Sequence, residues 1–162
     1  MVQLTTPQPS RDPAPTVKAQ KLAYLLFELP DLNRAETFLV DFGLTVAHRE
    51  ADALYLRGTG TEPFCYCARR GDQPRFVGFG LEVSAADDLQ KLAALAGASS
   101  IHTAPHPGGG QCVRLQDPSG FIVEAVSDQT PVAPRPHRAP LDLNYAQQTP
   151  RVNATQRPPL AA

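Results

Sequence analysis

Gln116-Asp-Pro-Ser-Gly120-Phe-Ile-Val-Glu124-Ala-Val126 is the stretch whose reading decides the fold. Asp117-Pro118-Ser119-Gly120 is a tight turn. Pro118 sets φ at its second position, and Gly120 accepts φ values that other residues resist. The run that follows is apolar except for Glu124. A carboxylate in a strand of core character is costly to bury unless a partner or a metal compensates it. The other reading of Glu124 is an outward-facing strand residue. The choice depends on what surrounds this strand.

Working outward, Gln111–Gln116 before the turn and Phe121–Val126 after it read as two strands. Pro107-Gly108-Gly109-Gly110 is a turn, without the strand-then-helix context of a phosphate loop. Ile101-His102 is a short strand. Upstream, Arg75–Val83 is a strand, and Ser84 caps a helix whose apolar face is Leu89, Leu92, Ala93 and Leu95, ended by Gly97. The same pattern stands earlier in the chain. Lys21–Leu29 is a strand, and Pro30-Asp31 starts a helix with the stripe Leu32, Ala35, Phe38, Leu39 and Phe42, stopped at Gly43. Leu44–Glu50, Ala53–Arg57 and Phe64–Arg69 follow as strands. Glu28 and Glu82, Gly43 and Gly97, and Tyr24 and Gly78 are each 54 residues apart. The chain is therefore an internal repeat of two strand–helix–three-strand halves, 18–70 and 75–127, expected to pack as one domain over 18–127. Both helix stripes are read as core.

Residues 1–17 hold four of the 17 prolines and read as a flexible leader. Residues 128–162 hold seven prolines and little apolar periodicity, and read as a linker or an arm lying on another surface. Asn153-Ala-Thr155 matches a glycosylation acceptor, to which the lack of a secretion signal gives no support. The net charge is −1, with no basic stripe for nucleic acid and no run long enough to span a membrane. Three cysteines, with no signal peptide, read as reduced thiols in a cytoplasmic protein.

The two repeated halves, Pro30-Asp31-Leu32, the glycine turn 108–110 and Asp117-Pro-Ser-Gly-Phe-Ile-Val-Glu124 together resemble the vicinal oxygen chelate superfamily. That superfamily holds glyoxalases, bleomycin-resistance proteins and type I extradiol dioxygenases. The resemblance covers about residues 20–127. It is closest to the N-terminal half of a two-domain extradiol dioxygenase, and Pro140–Asn144 with Arg151–Arg157 resemble the connector to a second domain. It implies an α+β fold in which paired βαβββ modules form a cup-shaped mixed sheet. It also implies a divalent metal, Fe(II) in the dioxygenases, held by two His and one Glu with positions open for catechol and dioxygen.

Carried over position by position, the family's ligands fall on Tyr24, Gly78 and Glu124. Gly78 has no donor, and a phenol with a pKa near 10 is a poor one. The resemblance therefore implies a metal-free structural half, partnered by a catalytic domain or a second copy. Two alternatives stand beside it. One is a glyoxalase-type metalloenzyme with a site shared in a homodimer. The other is a metal-free binder like the bleomycin-resistance proteins, with Tyr24, Phe27, Phe64, Tyr66, Cys67 and Phe79 lining a cup for a small aromatic ligand.

The remaining polar residues are given plainer roles. Cys65 and Cys67 share a strand face and read as small core residues before a soft metal site. Pro105 and Pro107 rule out a helix between His102 and His106, so these are read as loop histidines. His48, His137, Arg69, Arg70 and Arg114 are read as exposed.

Overall fold

The computed structural model describes residues 13–84 and 86–136. In chain order the elements are β1 (Ala19–Leu29), α1 (Leu32–Phe42), β2 (Thr45–Arg49), β3 (Ala53–Arg57), β4 (Tyr66–Arg70), β5 (Arg75–Val83), α2 (Ala86–Ala93), β6 (His102–Thr103), β7 (Gln111–Gln116) and β8 (Ile122–Ser127). This is the α+β arrangement of two βαβββ modules that the resemblance implies. The eight strands form one mixed sheet in the order β2-β3-β4-β1-β5-β8-β7-β6. The modules join through the antiparallel pair β1–β5, while β4 and β8 run parallel to the first strand of their own modules. Leu25 and Phe79 pair directly and are 54 residues apart. The repeat's pseudo-twofold axis therefore passes between them.

Alternation along the strands divides the core. Leu54, Leu56 and Ala68 face α1 and bury Leu32 and Leu39. Val83, Val113 and Ala125 face α2 and bury Leu89. Tyr24, Leu26, Tyr55, Phe64, Cys67, Cys112 and Val126 lie on the opposite, cup-side face.

Local chemistry sets the helix ends. The Asp31 carboxylate accepts hydrogen bonds from the Asn33 and Arg34 amides, each at 3.0 Å, and Gly43 closes α1 in the left-handed region at φ 115°. The stripe expected on α1 is only partly core. Leu32 and Leu39 are buried, but Phe38 and Phe42 are 66% and 67% exposed. The sheet under this helix takes only the narrow line through 32, 35 and 39. The two phenylalanines stand on its flank, over a groove of about 450 Å³ that includes Leu22, Leu44 and Tyr66. α2 ends at Ala93, so Leu95, expected in its apolar stripe, falls beyond the helix and is exposed.

Strand ends differ from the sequence reading by a few residues. β1 begins at Ala19, and β4 at Tyr66 instead of Phe64. Cys65 thus precedes β4 and is half-buried, while Cys67 is buried.

Residues 130–135 run back over the first module. The Thr130 amide donates to Gly108, Val132 to Thr61 and Arg135 to Thr59, at 2.8–2.9 Å. The Arg57 guanidinium donates to the Ala133 carbonyl at 2.9 Å. His137, the connector-like stretches 140–144 and 151–157, and Asn153 lie outside the described residues.

Candidate functional site

The Asp117–Gly120 turn fixes a register, and the register builds the site. The Phe121 amide donates to the Asp117 carboxylate at 2.9 Å, and Gly120 sits at φ 91°. The hairpin it closes pairs Gln116 with Ile122 and, two steps on, Arg114 with Glu124. Glu124 in turn pairs with Gly80 on β5, and Gly80 with Tyr24 on β1. Arg114, Glu124, Gly80 and Tyr24 thus form one row across four neighbouring strands.

Glu124 is fully buried, which settles it as an inward-facing residue. The Arg114 guanidinium grips its Oε1 through Nε at 3.2 Å and Nη2 at 2.7 Å. On Oε2 it accepts from the Tyr24 hydroxyl at 2.8 Å and meets His106 Nε2 at 3.0 Å. An ionised carboxylate only accepts, so His106 Nε2 carries a proton in this contact. His106 Nδ1 is buried with no hydrogen-bond partner among the described residues.

Burial alone would raise the Glu124 carboxyl. The hydrogen bonds from His106 and Arg114, together with the one from Tyr24, outweigh it and bring the pKa down to about 2. Burial, and then the charge of Glu124, push the Tyr24 phenol above the ordinary tyrosine range, so it stays a neutral donor. Burial also pushes the Cys67 thiol up to about 11 and the Cys112 thiol up to about 12. Neither is a thiolate near neutral pH.

Two glycine features make room for this network. A Cβ on Gly80 would stand 2.4 Å from the Tyr24 ring, which therefore lies in the space that any side chain at 80 would fill. The triplet Gly108, Gly109 and Gly110, all at positive φ, folds the loop tightly onto the sheet. A Cβ at Gly110 would stand 2.2 Å from the Ser127 carbonyl. That return brings His106 into the cup among Tyr24, Tyr55 and Phe64, with ring centroids at 5.2, 5.9 and 5.4 Å.

Several expectations change here. His106 is a buried partner of Glu124, not a free loop histidine, because the glycine turn doubles back. Arg114 is only half exposed and is bound to Glu124, not simply solvated. The residue level with Tyr24 and Glu124 is Gly80; Gly78 pairs with Leu26 and Ile122. The 54-residue offset marks repeat equivalents; the strands run antiparallel about the Leu25–Phe79 pair, so the partner of Tyr24 is Gly80 and not its equivalent Gly78. The expected cup lining also divides. Phe27 and Cys67 line a cavity of about 340 Å³ beside Glu124, with Leu26, Arg69, Val77, His106, Arg114 and Ile122 among its other walls. Tyr24 and Phe64 pack in the core behind it, stacked at 4.5 Å. Tyr66 joins the cluster under α1, and Phe79 alternates with Gly78 and Gly80 onto the opposite face. His48 sits at the surface, 3.4 Å from Glu50. His102 is not a loop histidine but opens β6, opposite Cys112, with its ring nitrogen bonded to the Ser100 carbonyl at 3.0 Å.

The donor set does not fit a divalent metal. No three His, Cys, Asp or Glu side chains among the described residues are grouped to hold one. From the row only Glu124 is a carboxylate or imidazole ligand, His106 reaches it from the loop, and Gly80 adds none. The carboxylate's lone pairs are taken by a guanidinium, a hydroxyl and an imidazole N–H, and the fixed charge of Arg114 stands where a cation would bind.

Neither protein-family models nor curated proteins match the sequence. Solved structures do. A Mn(II)-bound glyoxalase from Novosphingobium aromaticivorans is 24% identical with a TM-score of 0.67, over 74% of this chain and 42% of that one. Homoprotocatechuate 2,3-dioxygenase from Brevibacterium fuscum, in complex with 3,4-dihydroxyphenylacetate, is 23% identical with a TM-score of 0.66, over 78% and 42%. An extradiol ring-cleaving dioxygenase from B. fuscum is 23% identical with a TM-score of 0.64, over 76% and 36%. The chain shares the fold of these glyoxalase and extradiol dioxygenase structures and spans about two-fifths of the length of the proteins it matches.

Proposed function

We propose that this chain is a metal-free structural half of an extradiol-dioxygenase-like protein acting on catechol-type aromatic compounds. It would pack against a catalytic domain or a second copy of itself. The observation that carries this reading is the clamp on Glu124. The carboxylate in the cup is closed by Arg114, Tyr24 and His106, and the strand between Tyr24 and Glu124 offers only Gly80. A domain arranged this way contributes walls and rigidity, while the chemistry takes place in its partner. The length ratio to the solved dioxygenases supports the same reading.

The cavity of about 340 Å³ beside the clamp supports a second role, small-ligand binding without metal. A glyoxalase-type centre would need several free donors from each chain, and in this cup the Glu124 carboxylate and the Tyr24 hydroxyl are already engaged.

The test is metal content after anaerobic reconstitution of the untagged full chain with iron(II), zinc or nickel. We expect less than about a tenth of an equivalent of each. Near-stoichiometric metal that is lost in Glu124→Ala would overturn the reading.

A further inference from the structure

The cavity beside the clamp carries a positive charge that its own carboxylates do not cancel. Of the two acids in its wall, Glu28 is paired with Arg75 at 2.8 Å and Glu124 with Arg114 at 2.7 Å. Arg69 lines the same cavity and makes no ion pair among the described residues. Its guanidinium lies 3.5 Å from the neutral Tyr55 hydroxyl. Arg114 uses Nε and Nη2 on Glu124, its side chain is 48% exposed, and its Nη1 has no acceptor among the described residues. Facing these cations is an apolar wall that includes Leu26, Phe27, Val77 and Ile122.

A neutral apolar guest would gain only the wall, and a small inorganic anion only the charge. A guest with a flat or branched apolar body and one carboxylate gains both. The guanidinium fork matches a carboxylate in shape as well as sign. We propose that the cup binds a small apolar monocarboxylate. Its carboxylate would lie on Arg69 and the free edge of Arg114, and its body against Phe27 and Val77. The proposal rests on the metal-free reading, since a cation on Glu124 would displace Arg114 and change both the charge and the space.

Equilibrium dialysis of the full chain against 2-naphthoate and its neutral counterpart 2-naphthamide tests it. We expect saturable binding of one naphthoate per chain, about tenfold or more tighter than the amide. Arg69→Gln, at an exposed position on β4, should weaken naphthoate about tenfold and leave the amide unchanged. Arg69→Lys should recover part of the loss. Equal binding of acid and amide, indifference to Arg69→Gln, or no saturable naphthoate binding would each overturn the proposal. Metal analysis of the same preparation separates the failures. Metal-loaded protein contradicts the structural-half reading, and metal-free protein that ignores naphthoate contradicts only the carboxylate site.

Discussion

Glu124 has no contact with water and yet is charged, because three donors replace the water it has lost. Its folded pKa, about 2, lies below the ordinary carboxyl value of 4.5. The stabilisation is therefore fully present above about pH 4.5 and is lost as pH falls toward 2. It amounts to roughly 3 kcal/mol. Urea midpoints measured across that window should fall for the native chain and stay flatter for Glu124→Gln. The variant should be less stable at neutral pH and should converge with the native protein at the acid end. Parallel curves would mean that Glu124 is not the titrating group. Much of this residue's situation could be counted from sequence. The turn at 117–120 folds the chain so that positions ten apart, Arg114 and Glu124, face each other. His106 could not be placed that way, since its arrival depends on how three glycines bend a loop back across the sheet.

At the scale of the strand, the strand–helix pattern was legible because apolar periodicity and helix-ending glycines are local signals. The register between strands was not. An offset of 54 residues points from Tyr24 to its repeat equivalent Gly78, but antiparallel pairing about Leu25 and Phe79 sets Tyr24 opposite Gly80. The two glycines make this distinction measurable. A Cβ at 80 meets a side-chain ring at 2.4 Å, which can tilt, so Gly80→Ala should cost about 1–3 kcal/mol in a denaturation series. A Cβ at 78 meets the Ile122 carbonyl oxygen at 1.9 Å, and backbone has nowhere to rotate. Gly78→Ala should therefore abolish cooperative unfolding. Equal effects at the two sites would contradict the register. The apolar stripe of α1 shows the same limit from another side. Sequence marks Phe38 and Phe42 as apolar, but the width of the sheet beneath decides that they stay outside.

Across the whole molecule, the stretch read as a linker from Asp128 is stitched to the first module through residues 130–135, so the chain's last described segment spans both halves. Arg57 holds that strap at the Ala133 carbonyl and the adjoining loop at the Gly60 carbonyl. Arg57→Ala should make the segment 130–136 cleave faster in limited proteolysis while the 18–127 core stays intact. Unchanged cleavage would show that the amide hydrogen bonds alone suffice. The exposed Phe38 and Phe42 and the open cavity are features that composition could not locate, because both depend on which faces the two modules leave uncovered.

The way Tyr24 lies over Gly80 also bears on ancestry. Suppose the cup descends from one that held a metal. A side chain restored at 80 would collide with the ring. A smaller residue at 24 would strip Glu124 of a donor while 80 was still bare. Each substitution alone is a loss, and only the pair together leads back. On that supposition the two positions are coupled, and the cost of changing either depends on the residue at the other.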